Sequence, residues 1–95
     1  MTKSKNGSGW RLEVTPRAER ELRKLGVVDQ QRVRKFLRAR IEGTDDPRQS
    51  GKPLGGIKLE YWRYRVGDIR ILCRLEDEKV VVVVVTIGHR REIYR

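Results

Sequence analysis

A chain of 95 residues makes one domain near the lower end of the usual size range, so its core must be compact and regular. Lys and Arg number 23 against 13 Asp and Glu, a formal net charge of +10, which points to polyanionic partners. Cys73 is the single cysteine, which excludes an internal disulfide and a cysteine-based metal site.

The residues Met1 to Gly9 (MTKSKNGSG) are small, polar and basic and are expected to form a disordered tail, leaving 10–95 as a single domain. Trp10 to Thr15 alternates, with Trp10, Leu12 and Val14 on one face, as in a half-buried strand. Thr15-Pro16 reads as a helix start, a capping hydroxyl followed by Pro at the first helical position. Ala18, Leu22 and Leu25 share one face of that helix, and Gly26 is expected to stop it. Asp29 is expected to cap a second helix with the apolar stripe Val33, Phe36, Leu37 and Ile41 and with Gly43 at its end. Arg32, Arg34, Arg38 and Arg40 occupy its other face. Thr44 to Gly56 is rich in Pro, Gly and Ser and reads as a loop.

Beyond that loop the period switches to two. Leu59 to Val66 is a strand, Gly67-Asp68 a tight turn and Ile69 to Leu75 a second strand. Glu76 to Lys79 turns the chain again, and the β-branched run Val80 to Ile87 reads as a central strand buried on both faces. The longest apolar run, Val80 to Val85, is far too short to cross a bilayer, so a membrane is not an expected partner and a cytoplasmic location is expected. The predicted class is α+β: an N-terminal strand, then a two-helix hairpin packed on one face of an antiparallel sheet.

A two-residue loop at Gly67-Asp68 sets the register, pairing Val66 with Ile69. One face of the hairpin then carries Trp62, Tyr64, Val66, Ile69, Ile71, Cys73 and Leu75 and belongs under the helices. The other carries Arg63, Arg65, Arg70 and Arg74, with Arg65 directly across from Arg70. Like charges in opposed positions destabilise a sheet unless an anion sits among them. Gly88 is expected to bulge or bend the last strand, re-aiming Arg90, Arg91 and Tyr94 over this basic face. A phenol among guanidinium groups has its anionic form favoured, which suits a base. His89 is the single histidine, and a lone histidine is more often structural than catalytic.

RNA cleaves when its 2′-hydroxyl attacks the adjacent phosphate, a reaction that needs in-line positioning, neutralisation of the phosphorane and proton transfer. Several Arg residues and one Tyr can supply these without metal. The sequence has no patterned metal ligands, and Gly51 to Gly56 (GKPLGG) matches no nucleotide-binding fingerprint, so no cofactor is expected.

Four segments resemble the RelE branch of the RelE/ParE toxins: Asp46-Pro47-Arg48, Gly51-Lys52-Pro53-Leu54, Trp62 to Arg70 (WRYRVGDIR) and Gly88 to Tyr94 (GHRREIY). The resemblance spans nearly the whole chain after residue 9. It implies the toxin of a type II toxin–antitoxin system, an mRNA interferase acting in the ribosomal A site, with mRNA, the ribosome and a cognate antitoxin as partners. Carried over by position, Arg63, Arg65, Arg70 and Arg90 bind RNA and stabilise the transition state, and Tyr94 abstracts the proton. With Arg70, Arg90 and Tyr94 in catalysis, Arg63, Arg65, Arg74 and Arg91 are left to hold phosphates. Arg63 and Arg65 stand where well-studied members carry Lys. A ParE-like toxin that inhibits DNA gyrase without enzymatic activity is the alternative on the same fold.

Overall fold

The computed structural model describes residues 9–55 and 60–89. In chain order they form β1 (Arg11–Val14), α1 (Pro16–Arg23), α2 (Val27–Phe36), a π-helical turn (Leu37–Ile41), a 3-10 helix (Pro47–Ser50), β2 (Lys52–Pro53), β3 (Tyr61–Val66), β4 (Ile69–Glu76) and β5 (Val81–His89). The strands make one sheet in the order β1-β5-β4-β3-β2. Both helices supply buried side chains to the core that covers one face of it, the α+β arrangement read from the sequence. The sheet is mostly antiparallel, with β1 joining β5 in parallel, Arg11 beside Val81 through Val14 beside Val84. The other pairings are antiparallel.

Helix α1 begins as its sequence dictates. Thr15 Oγ1 accepts the Ala18 amide at 3.1 Å, and Pro16 follows at a position where no amide is required. Gly26 ends no helix with a left-handed turn. Its extended backbone (φ −60°, ψ 159°) makes it the N-cap of α2, and its carbonyl accepts the Gln30 amide at 2.9 Å. Asp29 therefore lies inside the first turn of α2 rather than capping it, where its charge still favours the helix N-terminus. The amide of Glu42 reaches back five residues to the Leu37 carbonyl at 2.8 Å, widening the last turn, and Gly43 leaves it at φ +79°. The two helices are tied by Glu19, which accepts Arg34 Nη2 at 3.2 Å; that bond above all holds its carboxyl below the usual range.

Ala18 and Leu22 from α1, and Val33, Leu37 and Ile41 from α2 and its π turn, meet Tyr64, Ile69, Ile71, Cys73, Leu75, Val82, Val84 and Ile87 from the sheet. Removal of an aliphatic or aromatic side chain of this size from water stabilises by about 1.5–3 kcal/mol each, so this stripe-on-sheet contact is the main driving force. Phe36 packs its ring at 5.7 Å from that of Tyr64, and Trp62 is half-buried at the margin. Gly9 packs against the backbone of Gly43, and Trp10 exchanges hydrogen bonds with Gly43 and Thr44.

Strand β5 runs two residues further than expected, to His89. Its irregularity lies at Val85 and not at Gly88, which pairs regularly with Arg70. Position 85 is where β1 ends and α1 begins: Thr15 donates its amide to the Val84 carbonyl and its hydroxyl to that of Val85. Beyond that point the free edge of β5 is met by Glu21 of α1. Its Oε1 accepts the Thr86 hydroxyl at 2.7 Å and the Ile87 amide at 2.8 Å.

Candidate functional site

The β3–β4 hairpin closes through Gly67 at φ +60° followed by Asp68. A positive φ at the first of two loop residues is a geometry that glycine adopts without strain. The register follows: Val66 pairs with Ile69, Arg65 with Arg70, Arg63 with Leu72 and Tyr61 with Arg74. Side chains alternate between faces, so Tyr64, Ile69, Ile71 and Cys73 lie under the helices, and Arg63, Arg65, Arg70 and Arg74 share the opposite face.

Arg70 is 9 % exposed, the charged residue among the buried ones. Its guanidinium donates to the Gly67 carbonyl at 3.4 Å and meets no carboxylate among the described residues. Arg65, directly opposite and exposed, has no ion-pair partner among them either. A buried cation without a counter-ion is costly, and a second cation across the strand raises that cost. On its other side Arg70 faces Gly88, which places no side chain between Arg70 and β5.

Lys52 of β2 pairs with Arg63, adding a cation that the sequence reading left inside a loop. Its signal was Pro53, which restricts the preceding residue to extended backbone. Lys52, Arg63, Arg65 and Arg70 line a groove of about 600 Å³ together with Gln49, Ser50, Gly51 and Tyr64. No acidic residue lines it among the described residues.

The wall opposite the strands is held rigidly. Tyr64 donates its hydroxyl to the Pro47 carbonyl at 2.6 Å, and burial pushes that phenol's pKa far up. Arg48 forms a two-pronged pair with Asp77 at 2.8 and 3.0 Å, holding the Asp77 carboxyl below its usual range, and lies 5.6 Å from the Trp62 ring. At Gly51 an added Cβ would lie 2.4 Å from the Arg63 carbonyl, so only glycine lets the loop lie this close to β3.

The remaining candidates divide. Arg74 stands on the basic face but outside the groove. Its Nε donates to Glu76 at 2.9 Å, and that bond, with a second to Tyr61, holds its pKa up. His89 pairs with Ile69, which puts it on the helix-covered face, away from the row of Arg65, Arg70 and Gly88. Arg90, Arg91 and Tyr94 lie outside the described residues.

Residues 12–94 match the family of ParE toxins of type II toxin–antitoxin systems, parDE. The chain is 34 % identical over 86 residues to the mRNA interferase toxin RelE of Escherichia coli strain K12, covering 87 % of each chain. It is 38 % identical over 50 residues to toxin RelG of Mycobacterium tuberculosis, 53 % of this chain and 58 % of that one. Among solved structures it resembles a RelBE toxin–antitoxin complex of M. tuberculosis with a TM-score of 0.75 at 29 % identity, over 86 % of this chain and 99 % of the other. A substituted, free form of E. coli toxin RelE gives a TM-score of 0.71 at 26 % identity, over 90 % and 88 %.

Proposed function

The chain belongs to the RelE/ParE family of type II toxin–antitoxin toxins, and from that premise we propose that it is an mRNA interferase. In this reading it cleaves mRNA in the ribosomal A site, in the cytoplasm, and a cognate antitoxin holds it in check. The observation that carries the reading is Arg70, a buried guanidinium facing Arg65 with no carboxylate beside either among the described residues. An RNA phosphate supplies the missing anion.

Attack by a 2′-hydroxyl forms a new bond from that oxygen to phosphorus and breaks the bond to the 5′-oxygen, which takes a proton from solvent, leaving a 2′,3′-cyclic phosphate and a 5′-hydroxyl. Negative charge accumulates on the phosphorane between the two events, and preorganised donors in a dry site stabilise it most. Arg70 is such a donor, and Arg90 is assigned the same task. Tyr94 is assigned the task of taking the 2′-hydroxyl proton. Arg63, Arg65 and Arg91 hold flanking phosphates. Arg74 does so too, with the smallest share because Glu76 already engages its charge.

The test is single-turnover cleavage on programmed ribosomes, with mRNA ends mapped. Arg70→Ala and Tyr94→Phe should lower the rate at saturation by two to three decades, roughly the loss of one transition-state donor. Arg63→Ala should weaken binding and reduce its salt dependence by about one phosphate contact. Wild-type rates in Arg70→Ala remove it from the mechanism. Absence of mRNA cleavage together with inhibition of DNA gyrase establishes the ParE-like alternative, which the family match also accommodates.

A further inference from the structure

A second cavity of about 580 Å³ opens between the π turn that ends α2 and the 3-10 helix. Gln49 and Ser50 line both it and the basic groove, so the 3-10 helix borders both. Its size lies within the range of small-ligand sites. Both walls are fixed. Gly43 and Thr44 are hydrogen-bonded to Trp10, and the 3-10 helix is fastened by the Tyr64–Pro47 and Arg48–Asp77 bonds. A site built on such walls binds without a large ordering cost.

The lining differs in kind from that of the groove. Phe36, backed by the Tyr64 ring, offers an aromatic surface; Arg40 offers a cation without a partner among the described residues; Glu42 offers a carboxylate. Phosphate alone would not select a carboxylate. A nucleotide would: an aromatic ring stacks on its base, a guanidinium meets its phosphate, and a carboxylate accepts hydrogen bonds from the base edge.

We propose that this cavity is a nucleobase subsite for a nucleotide flanking the scissile phosphate. The assignment rests on the RNA-cleaving reading above and extends it to base selection. Phe36 stacks the base and Arg40 meets its phosphate. Glu42 selects bases that present an exocyclic amino group (adenine, cytosine, guanine) over uracil, whose single N3–H donor is flanked by two carbonyl oxygens that repel a carboxylate. Gln49 and Ser50 form the sill between the subsite and the groove.

The probes are short RNAs, 2′-O-methylated to block cleavage, carrying A, C, G, U or an abasic nucleotide at each position in turn. Binding is followed by anisotropy and by the backbone amide signals of the folded protein. An abasic nucleotide at one position should weaken binding about tenfold, the scale of one lost base stack. The Gly43 and Thr44 amides should shift with the intact RNA and stay unmoved with the abasic one. Arg40→Ala should lower the salt dependence by about one contact. Glu42→Gln, similar in shape but uncharged, should level the affinities for the four bases. Ala39→Trp, which fills the cavity from an exposed position, should abolish the Gly43 and Thr44 shifts while those of Arg65 and Arg70 persist.

If Arg65 and Arg70 shift but Gly43 and Thr44 do not, or if abasic RNA binds as well at every position, the subsite is overturned and the RNA reading survives. If neither pair shifts, both fail. Equal wild-type affinity for all four bases overturns the role of Glu42.

Discussion

Glu21 joins α1 to the edge of β5 that β1 leaves open, and its removal tests whether this contact holds the end of the sheet. The Ile87 amide lies past the last β1 pairing, Ile87 is 2 % exposed, and Glu21 Oε1 is its acceptor at 2.8 Å. A hydrogen bond to a charged group contributes about 1.5–3 kcal/mol, and a second one runs from Thr86. The Glu21 side chain keeps 28 % exposure, so water can replace it at the Thr86 hydroxyl, and the Arg17 pair on its other oxygen is at the surface. Glu21→Ala should therefore cost about 2 kcal/mol, close to one charged bond. For a domain this size that lowers Tm by roughly 8–16 °C. Glu21→Gln keeps the acceptor oxygen and should lose less than about 1 kcal/mol.

Burial opposes ionisation of Glu21, but the Ile87 amide, the Thr86 hydroxyl and Arg17 outweigh it, and the carboxyl is held below its ordinary value of 4.5. A depressed folded pKa gives stability that is present above 4.5 and is lost as pH falls through the folded value. Wild type should lose this increment in that acid window, and Glu21→Gln should lack the increment at any pH. Urea unfolding of the three proteins at neutral and acid pH measures it, with hydrogen exchange at Ile87 as the local probe. Glu21→Ala within about 0.5 kcal/mol of wild type, or Gln as costly as Ala, would refute the clamp.

Three further outcomes are expected. Tyr64→Phe leaves the buried Pro47 carbonyl without its donor and should cost about 1–3 kcal/mol in denaturant unfolding; an unchanged midpoint would mean water takes the place of the phenol. Gly51→Ala puts a methyl against the Arg63 carbonyl and should cost about 1–3 kcal/mol, with weaker RNA affinity as Lys52 moves away from Arg63. Val80 holds φ +58°, a conformation poor for a β-branched side chain, at 38 % exposure. Val80→Gly should fall between neutral and about 1 kcal/mol more stable, after the entropy glycine adds to the unfolded chain; a loss above about 1 kcal/mol would show that the side chain packs usefully.

The basic hairpin was legible because its determinants are local. Side chains alternate with a period of two and the loop has two residues, so Gly67-Asp68 leaves one register, and Arg65 must oppose Arg70. The helical stripes were legible for the same reason, since Leu22, Val33, Leu37 and Ile41 repeat at helical spacing. Local pattern says nothing about which distant edges meet. The parallel docking of β1 on β5 joins residues some seventy apart, and β2 is two residues long, too short for any period to register. The same gap misplaced the bulge: glycine at 88 was the sole local cue, whereas Val85 is irregular because α1 begins beside it. Composition and alternation thus determined that this chain presents a basic sheet face. Tertiary packing decided which cations have a carboxylate beside them: among the described residues Arg65 and Arg70 have none, while Arg74 goes to Glu76 and Arg48 to Asp77. Charge counts along a chain add, but a cation's availability depends on which carboxylates the fold brings within reach.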